Sequence, residues 1–187
     1  MLRFVPAALA AALLAGPAAA DEFTDTLESA LEAYRAGDAA AAGQDVEYAG
    51  KLLTAMKAES LANFLPAALP GWTRADDSGE EAGGMMAMIG GGTTAGATYA
   101  KGDGTEMTIT LVANSPMVSG IAAMVGGIAS MGGGKPMRIQ RTEFANNEGE
   151  LQGVVDGKVM VSVAGDATVE DKTAYLESMD FKGLAGF

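Results

Sequence analysis

The chain has 187 residues, with 24 acidic against 12 basic side chains and a net charge of −12. Such a surface repels phosphate backbones and anionic lipid, so neither is expected as a partner. Cysteine and histidine are both absent, which removes disulfides, thiol nucleophiles, the usual neutral-pH acid/base group and the commonest metal ligand.

The first twenty residues, "MLRFVPAALAAALLAGPAAA", read as a secretory signal. Arg3 supplies the positive start, an Ala/Leu-rich run follows, and Ala18, Ala19 and Ala20 are the small residues before the expected cleavage. The apolar run is short and holds Gly16 and Pro17, unlike a membrane anchor. No cysteine sits at the cleavage region, so lipoprotein processing is excluded as well. The expected location is the periplasm, with no membrane span after cleavage. Removing 20 of 187 residues leaves 167, enough for one domain with a helical appendage. The expected division is a signal at 1–20, a helical hairpin at 21–65 and an α+β domain at 66–187.

Helical spacing fills 22–65. Phe23, Leu27, Leu31 and Tyr34 recur at four, four and three, drawing one apolar stripe. "RAGD" breaks the pattern, and Asp38 is a good N-cap for a second helix carrying Val46, Ala49, Leu53 and Met56. "AYRAGDAAAA" resembles the turn between the two helices of a tetratricopeptide repeat. A single repeat cannot bury its own face, and no second copy is present. The hairpin is therefore expected to pack on the rest of the protein or on a partner. Tyr34, Val46, Leu53 and Met56 are the candidate partner-binding residues. Full burial is the favoured outcome, because large exposed apolar patches are rare on soluble monomers.

"LPAALPGW" at 65–72 ends the helix, and strand texture follows. "TTAGATYA" and "EMTITLVA" read as strands joined by "KGDGT", a loop of hairpin length. "PMRIQRTEF" reads as one further strand. "ELQGVVDGKVMVSVAG" places Asp156-Gly157 between two β-rich runs, a strong hairpin signal, with Val159, Val161 and Val163 facing inward and Gly153 marking a bulge. Ser115, Pro116 and Gly132 bound a helix whose stripe is Met117, Ile121, Met124, Ile128 and Met131. A last helix opens at Thr168 and Asp171, with Val169, Leu176 and Met179 on one face. The predicted fold is α+β: an N-terminal helical hairpin, then an antiparallel sheet with helices packed on one face.

Chemistry is sparse. In "GGMMAMIGGG", Met85, Met86 and Met88 form a candidate thioether site for Cu(I). On an extended chain Met86 and Met88 share a face that Met85 does not, and packing is the favoured reading. Ser119, Ala123 and Gly127 have small-xxx-small spacing, read as close helix contact with the sheet rather than a membrane signal. Asp76, Asp77, Glu80 and Glu81 gather in an acidic stretch without the spacing of a calcium loop. Lys135, Arg138 and Arg141 make a small basic strand, read mainly as a solvated face, with an anionic ligand or the acidic stretch as the alternative.

No catalytic motif is present, and no cofactor is expected. From "LPGW" through "GGGTTAGATYAKGDG", "ANSPMV" and "VDGKVMVSVAG" to "MDF", the chain resembles uncharacterised exported proteins of Gram-negative bacteria. The resemblance covers 65–187 and implies export and a single domain, but no activity. The leading functional expectation is an exported, non-enzymatic protein that binds a partner protein or small apolar ligand. The alternatives are methionine-based Cu(I) binding and an enzyme working without histidine or cysteine.

Overall fold

In the computed structural model the described residues are 18–77, 92–116, 118, 120 and 136–187. They form two compact units, one ending at Leu53 and one spanning Thr54–Phe187.

The first unit pairs α1 (Ala18–Arg35) with the N-terminal half of α2 (Ala39–Ala62). Gly37, at φ 87°, ends α1 in a left-handed conformation that costs glycine nothing. The Gly37 amide donates to the Tyr34 carbonyl, and the Asp38 amide to the Ala33 carbonyl at 2.9 Å, closing the helix in a Schellman turn. Asp38 then opens α2 by accepting from the Ala41 amide at 3.0 Å. The two helices run antiparallel over this turn. Ser29 donates to Asp45 and Tyr48 to Glu22, both at 2.7 Å.

The second unit is built on a seven-stranded antiparallel sheet: β1 (Trp72–Asp76), β2 (Thr93–Lys101), β3 (Glu106–Ala113), β4 (Met137–Ile139), β5 (Thr142–Asn147), β6 (Glu150–Val155) and β7 (Val159–Gly165). Their order is β1-β2-β3-β7-β6-β5-β4. Two meanders, β1–β3 and β4–β7, thus meet along the β3–β7 pair. Alternation sets the core face: Met107, Ile109 and Leu111 of β3 lie beside Val159, Val161 and Val163 of β7, all buried. Helices α3 (Val169–Ser178) and α4 (Phe181–Leu184) cover that face with Tyr175, Leu176, Met179, Phe181 and Leu184. The α+β architecture with helices on one sheet face is as expected.

The segment after α2 is pinned to the same face by polar groups. Tyr99 donates its hydroxyl to the Pro66 carbonyl at 2.7 Å, and Tyr175 accepts from the Leu69 amide at 3.0 Å. Arg74 of β1 donates to the Leu65 and Pro66 carbonyls. Burial pushes the hydroxyls of both Tyr99 and Tyr175 above the usual tyrosine range. A group whose pKa is raised by folding supports the fold below its ordinary value, about pH 10, and ceases to as pH climbs through the raised value. Stability should therefore fall above about pH 10. In alkaline melts followed with tyrosinate absorbance, Tyr99→Phe is expected to flatten this fall; an unaltered alkaline limb would refute the assignment.

Two sequence expectations need correction here. "PMRIQRTEF" is two strands, β4 and β5, because Gln140 (φ 47°) and Arg141 (φ 73°) make a tight turn between them. Both occupy the left-handed region that non-glycine residues rarely adopt. The Gln140 amide holds the turn by donating to the carbonyls of Leu176, Glu177 and Met179 at 2.8–2.9 Å, which caps the C-terminus of α3. Gln140→Ala should cost about 1–2 kcal/mol in urea denaturation, since it frees several helix-end carbonyls and removes the bonds that hold the turn in its left-handed conformation. An unchanged midpoint would show that the turn stands alone.

Gly153 marks no bulge. It pairs in regular register with Phe144 and Val161. Its role is clearance, since a Cβ there would lie 2.8 Å from the Phe144 ring and from the Glu143 carbonyl oxygen. The structure also adds β1 and α4, on which the sequence pattern is silent. The expected hairpins at "KGDGT" and Asp156-Gly157 do form, as does the Thr168 cap, whose hydroxyl accepts from the Asp171 amide at 3.1 Å. Residues 116, 118 and 120 are helical. The rest of the 115–132 stripe lies outside the described residues.

Candidate interaction surface

Ala30, Ala42 and Ala49 are the buried residues of 21–53, while the larger apolar side chains of the hairpin are not buried. Leu27, Leu31 and Tyr34 are 41%, 47% and 70% exposed, and Val46 and Leu53 are 57% and 38% exposed. This corrects the favoured expectation of burial. Met56, half-buried, falls in the second unit.

These five exposed residues lie on one side of the hairpin. At about 100° per residue, the α1 stripe sits roughly a quarter-turn from the Ala30 face, and Val46 and Leu53 are displaced in the same rotational sense from the Ala42/Ala49 face. In two antiparallel helices, equal displacements of the same sense project to the same side. The polar ties Ser29–Asp45 and Tyr48–Glu22 occupy the other side, in agreement with this placement. Continuing around α1 from the stripe, the next positions are Glu28, Asp21, Glu32 and Asp25, roughly 100–160° from Leu27. An apolar stripe bordered by carboxylates results. The exposed pairs show ordinary surface electrostatics: the Lys51 ammonium beside Glu47 holds that carboxyl low, and the hydrogen bond to Glu22 holds the Tyr48 hydroxyl high.

The other candidates separate from one another. Met85, Met86 and Met88 lie outside the described residues, as do Glu80, Glu81 and Lys135. Asp76 pairs with Arg74 at 2.5 Å, and Asp77 lies over Gly96, with its amide donating to the Gly96 carbonyl at 3.0 Å. Arg138 is exposed on β4, and Arg141 occupies the following turn instead of the same strand. Among the described residues no group of three or more Asp, Glu, His or Cys side chains could hold a metal ion. No described helix is long and apolar enough to cross a membrane.

An open groove of about 990 Å³ runs past Arg141, Thr142, Glu143, Asp156, Phe181 and Lys182. Its two cations and two carboxylates give it no net preference for a charged ligand. Buried Lys172 and the half-buried pair Lys101 and Asp171 have structural partners. Lys172 donates to the Gly149 and Gly165 carbonyls, and Lys101 bridges to Asp171 at 3.0 Å while lying 4.6 Å over the Trp72 ring. That bridge and the Thr168 hydroxyl hold the Asp171 carboxyl below its usual range, with the Lys101 hydrogen bond the larger cause.

Leu27 and Leu31 are part of the exposed surface although the sequence pattern singled them out only as stripe residues. Spacing shows that a face is apolar, and it carries no record of which face meets the neighbouring helix. The chain matches no protein-family model, no curated protein and no solved structure.

Proposed function

We propose that this is an exported, non-enzymatic periplasmic protein that binds a partner protein through its helical hairpin. One observation carries the reading: Leu27, Leu31, Tyr34, Val46 and Leu53 are exposed, and helical spacing projects them to one side of the first unit, where a soluble protein ordinarily covers such a patch. The signal-like residues 1–20 support export. A convex helical face suits a second macromolecule better than a small apolar ligand, which binds in concave sites.

Two measurements test it in the native host. Fractionation with mass spectrometry should find the protein in the periplasm with Asp21 at its N-terminus. A photo-crosslinking residue placed at position 31 or 34 should give a discrete adduct, and one placed at position 102 on the β2–β3 turn should not. Adducts appearing equally at all three positions, or at none, would refute a hairpin partner.

A further inference from the structure

The charge around the stripe narrows what can cover it. Residues 21–53 carry eight carboxylates against two cations, a net charge of −6. Four of these carboxylates, on Glu28, Asp21, Glu32 and Asp25, follow the Leu31 edge of the stripe around α1, roughly 60–120° from Leu31. Three kinds of surface could shield the apolar side chains from water. A second copy of the hairpin would bring −6 against −6 and align like charges at close range. An anionic bilayer would meet the same repulsion. A helix with one apolar face bordered by lysine or arginine would cover the leucines and tyrosine while its cations reach the flanking carboxylates.

Resting on the partner-binding reading above, we propose that the hairpin's occupant is a cationic amphipathic helix of another protein. It lies along the Leu27–Leu31–Tyr34 stripe with its basic edge over Glu28 and Glu32. The mode is that of an amphipathic helix on an apolar surface, with apolar anchors at three- and four-residue spacing. Charge fixes its orientation and partner class, and apolar contact supplies most of the affinity.

The test uses the whole exported protein and a synthetic peptide of about 18 residues, long enough to form helix on binding, with leucine on one face and lysine on the other. Binding is read by fluorescence anisotropy, with circular dichroism showing that each variant is folded. The Leu/Lys peptide should bind. A Leu/Glu peptide of the same pattern should not, and neither should a Ser/Lys peptide of the same charge. Leu31→Glu with Tyr34→Glu should weaken binding at least about tenfold, as should Glu28→Lys with Glu32→Lys, each corresponding to roughly 1.4 kcal/mol or more. Added salt should weaken it further.

Equal binding of the Ser/Lys or Leu/Glu peptide would overturn the proposal. So would indifference to the stripe variants, or sedimentation showing stripe-dependent self-association. If crosslinks at position 31 persist in cells but the Leu/Lys peptide cannot compete them away, the cationic helix is wrong while a hairpin partner stands. If no crosslink forms at all, the partner reading itself fails.

Discussion

Replacing Lys172 by alanine should destabilise the second unit by about 3 kcal/mol, one of the two largest single-residue effects expected here. Lys172 is 1% exposed. Its ammonium donates to the Gly149 carbonyl at 2.6 Å and the Gly165 carbonyl at 2.7 Å, tying α3 to the β5–β6 turn and to the end of β7. Removing the donor leaves two carbonyls short of a partner and opens space where the stem lay. Relief of the lysine's own desolvation offsets part of this loss. Lys172→Met keeps most of the stem volume and loses only the donors, so it should cost about 2 kcal/mol. The chain has one tryptophan, Trp72, which packs edge-on to Tyr175 at 5.6 Å, so its fluorescence during urea denaturation reports on this unit. Midpoints matching the parent for both variants would mean that the buried ammonium has no net structural role.

Gly165→Ala should be comparably severe, at about 3–4 kcal/mol. Gly165 sits at φ 110°, and an added Cβ would lie 2.5 Å from the Glu106 carbonyl oxygen and 2.7 Å from the Met107 Cα. Both are backbone atoms of β3, fixed by the β3–β7 ladder, so neither can yield cheaply. The same atoms belong to a tight crossing in which the Asp166 amide donates to Glu106 at 2.8 Å. Gly104 provides the internal comparison. It has φ 88° with nothing near its missing Cβ, so Gly104→Ala isolates the conformational penalty, about 1 kcal/mol. The difference between the two variants measures the clash. Equal losses would show that β3 relaxes around the new methyl group.

The hairpin shows how much of an interaction surface periodicity can carry. Three- and four-residue spacing placed Leu27, Leu31 and Tyr34 on one face of α1, and they do share it. The same spacing gave no means of knowing that Ala30, Ala42 and Ala49 would be the residues that bury while the larger side chains stay exposed. Only the folded chain reveals which face of each helix is covered.

Local chemistry settled the features whose energy is local. Asp38 and Thr168 cap helices through their own neighbouring amides. Asp156-Gly157 turns because these residue types tolerate positive φ, and valines at 159, 161 and 163 face inward because a strand alternates. All of these follow from the sequence by itself. Tertiary structure decided the features whose cause lies far along the chain. Gln140 and Arg141 resemble no turn, and they hold one because the Gln140 side chain meets carbonyls 36–39 residues away. Lys172 looks like a solvated helical lysine until the folded chain brings two carbonyls to it, from 23 and 7 residues away. Capping and alternation depend on backbone geometry within a few residues, whereas burial of a polar group depends on partners that only the assembled sheet and helices can deliver.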